Sequence, residues 1–207
     1  MSQVRLRQYD NSWYHPGRSK AWQLAWFLLG LPVLRSSVIP SSGLRVWLLR
    51  LFGAEIAEGV VIKPGVRVKY PWHLRVGSDC WIGEDCWIDN LTTVRIGSDV
   101  CLSQGAYLCT GNHNWSDPAF GLVIEPILIQ NGAWVGAKAF LAPGVVLGEG
   151  AVAAGGSVVT KNIPDFKIFA GNPAVFVRNR LIGEMNSNLQ SKLSAANQSG
   201  ANQQVAS

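Results

Sequence analysis

The sequence predicts an all-β fold, a parallel β-helix of about five triangular coils between residues 56 and 164. An aliphatic residue begins each six-residue step, and a short internal repeat of this kind indicates a stacked solenoid. A β-sandwich, the alternative all-β fold, would have strands of two-residue period separated by variable loops. A sandwich would not keep its aliphatic residues in a fixed register, whereas fifteen positions of this chain do so. They are Ile56, Ile62, Val68, Val76, Ile82, Ile88, Ile96, Leu102, Leu108, Ile129, Val135, Leu141, Leu147, Ala153 and Val159.

The repeat also predicts which side chains face outward. Small residues such as Cys86, Ala106 and Ala139 stand two positions before the aliphatic ones, so both face the interior and the residue between them faces out. Three steps complete one coil, and two of the three outward columns are mostly apolar. Such a surface predicts side-by-side packing of identical subunits, unless the flanking helices cover it. The columns are Val61, Trp81, Cys101, Trp134, Val152; Arg67, Trp87, Tyr107, Phe140, Val158; and Glu55, Arg75, Arg95, Leu128, Val146.

Three insertions interrupt the repeat at the same corner of the triangle. The step lengthens to eight residues after Val68 and after Ile88, and to twenty-one after Leu108. The longest insertion, residues 110–126, is predicted to project as a loop. Long loops on rigid scaffolds often carry functional residues, so this corner is the first place to look for a site.

Residues 1–54 form a basic, Trp-rich extension before the repeat. They hold seven of the 18 Lys and Arg residues but one of the 13 acidic residues, and the whole chain has a net charge of +5. No nucleic-acid-binding module accompanies the charge, so nucleic acid is not an expected partner. Two roles remain open, covering the strand edges of the first coil and contact with an anionic membrane face.

Helical spacing within this extension predicts two short helices, over Ala21–Leu29 and Leu44–Phe52, split by Pro32 and Pro40. Gly53 stands at the expected C-cap. The second helix is expected to have Leu44, Leu48 and Leu51 on one side.

The remaining features set expectations for compartment and termini. No signal-peptide pattern appears, and the apolar stretch 21–34 is too short to span a bilayer, so a cytoplasmic location is expected. The four cysteines lack paired C-x-x-C spacing, which argues against a zinc site or a disulfide framework. The repeat domain is assigned to residues 55–175 and a C-terminal extension to 176–183. Residues 184–207, rich in Asn, Gln, Ser and Ala, are expected to be disordered.

The histidines argue against a metal enzyme. A β-helix enzyme such as a gamma-type carbonic anhydrase needs three His ligands, two of them typically five residues apart. The chain has only His15, His73 and His113, and position 118 is Pro118. No metal is therefore expected.

Several motifs together resemble the hexapeptide-repeat acyltransferases, most closely the acetyltransferases of colanic-acid and related exopolysaccharide biosynthesis. The resemblance covers about residues 10–180. The combination of a T-G-x-H loop with A-W-V-G-A and G-N-P-A is fairly specific, whereas the hexads alone specify only the fold. The motifs are R-L-F-G-A, Y-P-W, C-W-I-G-E, Y-L-C-T-G-N-H, A-W-V-G-A-K-A-F-L-A-P-G and A-G-N-P-A.

The resemblance implies a left-handed helix, a homotrimer with three active sites between subunits, and acetyl-CoA as the donor. His113 would be the general base that takes the proton of an attacking sugar hydroxyl. An imidazole, with an unperturbed pKa of about 6.5, suits that task near neutral pH. The tetrahedral oxyanion would need backbone N–H donors, for which Val135–Ala139 is the candidate segment.

The resemblance also implies coenzyme A contacts. Val175 stands where many relatives have Lys or Arg, so one phosphate contact is either absent or supplied by Arg180. The implied contacts are the backbones of Ala137 and Gly155, then Thr160 and Lys161 along the pantetheine and phosphates, and Arg178 at the terminal phosphate.

Acceptor contacts are expected beneath and within the loop. Asp89 and Asn90 lie one coil below Cys109 and Thr110. Within the loop, Asp117 has two possible roles: it either orients the His113 imidazole or makes a turn with Pro118. The candidates are Asp89, Asn90, Asn114, Trp115 and Asp117.

The sequence thus predicts an acetyl-CoA-dependent O-acetyltransferase acting on a sugar hydroxyl in exopolysaccharide biosynthesis. A lipid-linked acceptor would give the N-terminal segment a reason to contact the membrane. N-acetylation of an amino-sugar or xenobiotic is the nearest enzymatic alternative. The non-enzymatic alternative is a trimeric scaffold without catalytic activity, but a scaffold would need neither His113 nor Lys161.

Overall fold

The computed structural model describes residues 3–183 and contains the predicted parallel β-helix. The tail expected to be disordered, residues 184–207, lies outside the described residues. Three sheets form the faces of a triangular prism, and each inward aliphatic position packs on the same position one coil above.

The strands follow one another around the prism in chain order. Face 1 contains β1 (Glu55–Ile56), β4 (Leu74–Val76), β7 (Val94–Ile96), β12 (Ile127–Ile129) and β15 (Val146–Leu147). Face 2 contains β2 (Val61–Ile62), β5 (Trp81–Ile82), β8 (Cys101–Leu102), β13 (Trp134–Val135), β16 (Val152–Ala153), β18 (Lys167–Ala170) and β19 (Val175–Asn179). Face 3 contains β3 (Arg67–Val68), β6 (Trp87–Asp89), β9 (Tyr107–Cys109), β14 (Phe140–Leu141) and β17 (Val158–Val159).

The observed register confirms the predicted columns. Trp134, for example, pairs with Cys101 below and Val152 above, and Tyr107 pairs with Trp87 and Phe140. The small residues at the corners are buried beside the aliphatic ones, and Cys86, Ala106 and Ala139 are fully buried. A one-residue slip would turn the whole interior outward, so burial fixes the register.

A partial sixth coil closes the upper end, one more than the five predicted. Ile163 bridges to Leu147 on face 1, and β18 pairs with β16 on face 2. The chain then reverses, and β19 pairs antiparallel with β18. The predicted boundary at residue 175 therefore falls inside a strand.

Two of the three corners matter for the site. Corner 2 joins face 2 to face 3 and comprises residues 63–66, 83–86, 103–106, 136–139 and 154–157. Corner 3 joins face 3 back to face 1 and comprises residues 69–73, 90–93, 110–126, 142–145 and 160–162. All three predicted insertions lie at corner 3.

The N-terminal helices cover the lower end of the prism, the first of the two predicted roles. Arg50 Nε donates to the carbonyl of Ile56 in β1, at 2.9 Å. Ser42 Oγ accepts from the N–H of Ile62 in β2, at 2.8 Å, and the Trp26 indole donates to the carbonyl of Val68 in β3, at 3.1 Å. Each edge strand of the first coil thus has a side-chain partner.

The helix boundaries differ in part from the prediction. Helix α1 (Lys20–Ala25), a π-helical turn (Trp26–Gly30) and helix α2 (Leu31–Arg35) follow without a break. The prediction that Pro32 splits the segment is wrong. Pro32 lies in the first turn of α2, where no backbone N–H is needed for a helical hydrogen bond, and the π turn adjusts the backbone before it. Between residues 3 and 183 no helix combines the length and apolarity needed to cross a bilayer.

Helix α3 (Ser42–Leu51) begins two residues and ends one residue earlier than the predicted Leu44–Phe52, and it buries another side. Gly53 has φ +98°, and the Ala54 N–H bonds to the Leu49 carbonyl at 2.9 Å, which completes a Schellman cap. Leu48 and Leu49 are buried against β1 and β2, whereas Leu44 and Leu51 are 38% and 52% exposed. The predicted apolar side is therefore wrong for Leu44 and Leu51, because the helix lies flat across the end of the first coil.

Candidate active site

The corner 3 loop contains a short hairpin that holds His113. Strands β10 (Gly111–His113) and β11 (Leu122–Ile124) pair antiparallel, with His113 opposite Leu122. Thr110 fixes the base of the hairpin, since its Oγ1 donates to the Asp89 carbonyl of the coil below at 3.0 Å. Gly111 passes so close to Leu91 that a Cβ would lie 2.6 Å from Leu91 Cδ1. The hairpin is thus seated tightly on the coil beneath it.

Phe120 makes two contacts with the His113 imidazole. The Phe120 carbonyl lies 3.0 Å from His113 Nδ1, and the two rings stack at 4.4 Å with an interplanar angle of 10°. A carbonyl only accepts hydrogen bonds, so Nδ1 carries the proton in the neutral ring and Nε2 carries the lone pair. Nε2 has no hydrogen-bond partner among residues 3–183. The arrangement leaves Nε2 as a base.

Asp117 does not orient the imidazole, and that prediction is wrong. Its Oδ1 accepts the N–H of Ala119 at 2.9 Å, and its carbonyl accepts the N–H of Phe120 at 2.9 Å. Asp117 therefore makes the turn that was its alternative role. This turn brings Phe120, at φ +52°, to the histidine.

The two other loop candidates lie beyond the hairpin strands. Asn114 Oδ1 accepts the N–H of Ser116 at 3.1 Å. Its side-chain nitrogen has no hydrogen-bond partner among the described residues. Trp115 is 74% exposed at the loop tip. Their role in acceptor binding stays a prediction.

The two candidates below the loop differ in burial, since Asn90 is fully buried and Asp89 is partly exposed. Asn90 is fully buried, where it accepts from the Tyr70 N–H at 3.0 Å and donates to the Tyr70 carbonyl at 2.7 Å. It is a structural residue, so its predicted acceptor contact is wrong. Asp89 lies outward on face 3, with Lys69 Nζ 3.0 Å from Oδ1 and the Tyr107 hydroxyl 3.5 Å from Oδ2.

Corner 2 presents a column of unused backbone donors. The N–H groups of Gly136, Lys138 and Ala139 bond within or between coils, but that of Ala137 has no acceptor among residues 3–183. The N–H of Gly155, one coil above, also has no acceptor among these residues. Equivalent donors at Glu84 and Gln104 extend the column downward. Within the segment proposed for the oxyanion, Ala137 is therefore the available corner amide.

A groove beside this corner contains two of the predicted coenzyme contacts. It has a volume of about 480 Å³ and is lined by Gly155, Trp134 and Arg178, among others. Arg178 borders it because β19 pairs antiparallel with β18 at the upper edge of face 2. Arg180 also borders the groove, but its Nη1 donates to the carbonyls of Gly132 and Gly150 at 2.8 and 3.0 Å. Arg180 is thus engaged in holding two turns, which argues against its predicted phosphate contact.

The other predicted coenzyme contacts lie elsewhere. Thr160 and Lys161 are exposed at corner 3, the corner that carries His113. Within one chain the predicted site residues therefore form two groups separated by the width of face 3. Among residues 3–183 no three His, Cys, Asp or Glu side chains are close enough together to hold a metal ion.

Two contacts of His113 had no signal in the sequence. One is the Phe120 carbonyl, since any residue type supplies a carbonyl. The other is Tyr9, whose ring meets the His113 ring edge-on, with centroids 5.5 Å apart. Tyr9 comes from the extension, 104 residues earlier in the chain, and only the folded structure brings it to the loop.

No protein-family model matches the chain. A comparison with curated proteins finds the putative colanic acid biosynthesis acetyltransferase WcaF of Escherichia coli K12, 42% identical over 137 residues, which cover 66% of this chain and 75% of that protein. The chain belongs to the hexapeptide-repeat acetyltransferases.

Solved structures agree with this family at the level of the fold. The hexapeptide-repeat acetyltransferase VCA0836 of Vibrio cholerae superimposes with a TM-score of 0.70 at 22% identity, covering 79% of this chain and 94% of that one. A galactoside acetyltransferase in complex with coenzyme A gives 0.64 at 26% identity, covering 77% and 78%. These neighbours are left-handed β-helices, so the predicted hand is confirmed. The left hand is exceptional among parallel β crossovers, which is why spacing alone did not indicate it.

Proposed function

We propose that this acetyltransferase moves the acetyl group of acetyl-CoA to a sugar hydroxyl during exopolysaccharide biosynthesis, with His113 as general base. One observation carries the proposal: the Phe120 carbonyl lies 3.0 Å from Nδ1 of His113, while Nε2 has no hydrogen-bond partner in the described part of the chain. The 42% identity to a putative colanic acid biosynthesis acetyltransferase supports the substrate class.

The reaction follows from that tautomer. Nε2 takes the hydroxyl proton as the sugar oxygen attacks the thioester carbonyl, and the Phe120 carbonyl stabilises the imidazolium that forms. When the C–S bond breaks, the imidazolium returns the proton to the leaving sulfur. A free corner 2 amide, that of Ala137, is suited to donate to the developing oxyanion. Every proton is accounted for without a metal.

Donor binding is assigned to the two corner groups. Gly155 and Arg178 share the corner 2 groove, while Thr160 and Lys161 lie at corner 3. Lys161 would act as a point charge and Arg178 as a fork toward phosphate groups. The solved galactoside acetyltransferase with bound coenzyme A supports this class of donor. With Val175 lacking charge and Arg180 engaged, the phosphate end is held by fewer cations.

The separation of the two groups supports a trimer with active sites between subunits. Corner 2 of one subunit would face corner 3 of the next, so that one chain supplies His113 and its neighbour supplies Gly155. The outward Trp81 and Trp134 on face 2, 64% and 46% exposed, are apolar surface suited to that contact.

Subunit mixing tests this arrangement. His113→Ala and Gly155→Trp each disable every site of a pure trimer. Trimers reassembled from both variants should regain measurable turnover, because some sites combine the two intact halves. A mixture as inactive as its parents would refute the shared site, provided mass spectrometry shows mixed trimers.

The general base is tested directly by His113→Ala, with His15→Ala as the matched control at an exposed position. We expect transfer from acetyl-CoA to fall by about 10²–10⁴-fold in His113→Ala, with unchanged assembly, and to persist in His15→Ala. The acceptor is sought by mass spectrometry with methyl glycosides, amino-sugars and lipid-linked oligosaccharides as probes. Full turnover by His113→Ala would refute the mechanism. Transfer to amines alone would show that the reaction is N-acetylation and not O-acetylation.

A lipid-linked acceptor also calls for membrane contact, and we propose that the N-terminal helices provide it. Leu24, Leu28 and Leu29 are more than half exposed on α1 and the π turn, and Trp47 is similarly exposed on α3. The segment's excess of basic residues suits an anionic lipid surface. The protein should sediment together with phosphatidylglycerol vesicles, and Leu28→Asp should weaken this binding. Equal binding to phosphatidylcholine vesicles, or none to either, would count against this contact.

A further inference from the structure

The first residues of the chain lie along the corner that carries His113. We define residues 4–17 as the N-terminal strap. It contacts each of the three corner 3 segments that contain insertions, in reverse order of the coils. The segment 142–145, which has no insertion, makes no hydrogen bond to the strap.

At its upper end the strap reaches the catalytic loop. The N–H of Arg5 donates to the Pro118 carbonyl at 2.8 Å, within the turn that holds Phe120. Tyr9 then meets the His113 ring at 5.5 Å and 61°. Because Phe120 stacks on the same imidazole, the ring is confined by two aromatic neighbours from distant parts of the chain.

At its middle and lower end the strap is anchored to the two shorter insertions. The Tyr14 hydroxyl donates to the Leu91 carbonyl at 2.8 Å. The Pro16 carbonyl receives both the Trp72 indole N–H, at 2.5 Å, and Nε2 of His73, at 2.9 Å. The eight-residue steps of the first two coils therefore have a structural use: their extra residues hold the strap.

From this geometry we infer that Tyr9 is a positioning residue for His113 and that the strap holds Tyr9 against the imidazole. The inference rests on the proposed role of His113 as general base. The imidazole can turn about its side-chain bonds unless its neighbours prevent it, and the Phe120 carbonyl constrains only Nδ1. Tyr9 removes a further direction of movement, and small misplacements of a reacting group reduce rates strongly.

The ring of Tyr9 acts by contact, so its hydroxyl is not required. Tyr9→Phe should therefore behave like the wild type, whereas Tyr9→Ala should lower kcat about ten- to hundred-fold and leave KM for acetyl-CoA within about two-fold. Trp13→Ala is the matched control, because Trp13 is an exposed aromatic residue of the same strap with no contact to His113. The acceptor probe is the methyl glycoside that the wild type acetylates fastest.

A second measurement needs no acceptor. With only three histidines in the chain, ¹³Cε1-labelled His gives three assignable resonances. In Tyr9→Ala the His113 resonance should shift or broaden, while that of His73 should stay in place, because the lower anchor at Pro16 keeps the strap docked. Trp13→Ala should move neither resonance.

The outcomes separate the two proposals. An unchanged His113 resonance and an unchanged kcat in Tyr9→Ala would refute the role of the strap and leave the general base intact. Equal effects of Tyr9→Ala and Trp13→Ala would also refute it, since the effect would then be nonspecific. Turnover that survives His113→Ala would refute the general base itself, whatever Tyr9 does.

Discussion

Phe120 holds His113 by two different groups, its carbonyl at Nδ1 and its ring against the imidazole face. The backbone and side-chain contributions can be separated, because a substitution removes the ring but keeps the carbonyl. Phe120 also has φ +52°, a conformation that glycine adopts more easily than alanine.

Phe120→Ala and Phe120→Gly should therefore differ in stability and agree in activity. Both lose the stacked ring, and we expect kcat to fall about ten-fold in each. The glycine variant should be more stable than the alanine variant by up to about 1 kcal/mol, since it adopts the turn without a Cβ clash. Kinetics and urea unfolding measure the two effects. Wild-type activity in both would show that the ring has no part in positioning His113.

Arg45 is predicted to be essential for stability and unimportant for chemistry. It is fully buried and donates to the carbonyls of Leu34, Ser36, Ile39 and Ser41, which join α2 to α3. Arg45→Ala would leave these acceptors without partners and should cost about 3–5 kcal/mol in unfolding free energy. Arg35→Ala, at an exposed position of the same region, should cost less than about 0.5 kcal/mol. Comparable losses in the two variants would contradict this account.

Burial of His73 should make the folded protein less stable in acid. Burial lowers the pKa of His73 below its ordinary 6.5, while the Pro16 carbonyl opposes the shift. The unfolded chain therefore binds the proton more readily, so the stabilisation is present above about pH 6.5 and is lost as pH falls toward the lower folded value. Melting temperature should drop over this range in the wild type and less in His73→Gln, which keeps a donor without titrating. Identical pH profiles for the two proteins would rule out His73 as the source.

The coil register predicts the reactivity of the cysteines. Cys80 and Cys86 face the interior, and burial raises the pKa of both thiols, that of Cys86 to about 12. A buried thiol with so little thiolate reacts slowly. Iodoacetamide at pH 8 should modify Cys109, which lies on face 3, before either of them, and all four cysteines should react in denaturant. Early labelling of Cys86 in the folded protein would indicate a different register.

The sequence by itself determined the repeat, the columns and the corner that carries the insertions. These follow from a local rule: alternate residues of a short strand face opposite sides, and a fixed six-residue step repeats that choice at every coil. The hexads therefore placed Ile82 inside and Trp81 outside without any knowledge of the fold. The family motifs added the hand and the histidine, which spacing did not provide.

The tertiary structure decided how His113 is held. Its partners are a backbone carbonyl, which leaves no trace in residue type, and Tyr9, which arrives from the far end of the chain. The same reason applies to Asn90, Asp117 and Arg180, because each of these polar side chains bonds to a backbone group that residue type does not reveal. A one-dimensional repeat fixes where side chains point, whereas the contacts between its corners and the N-terminal strap exist only once the coils have stacked.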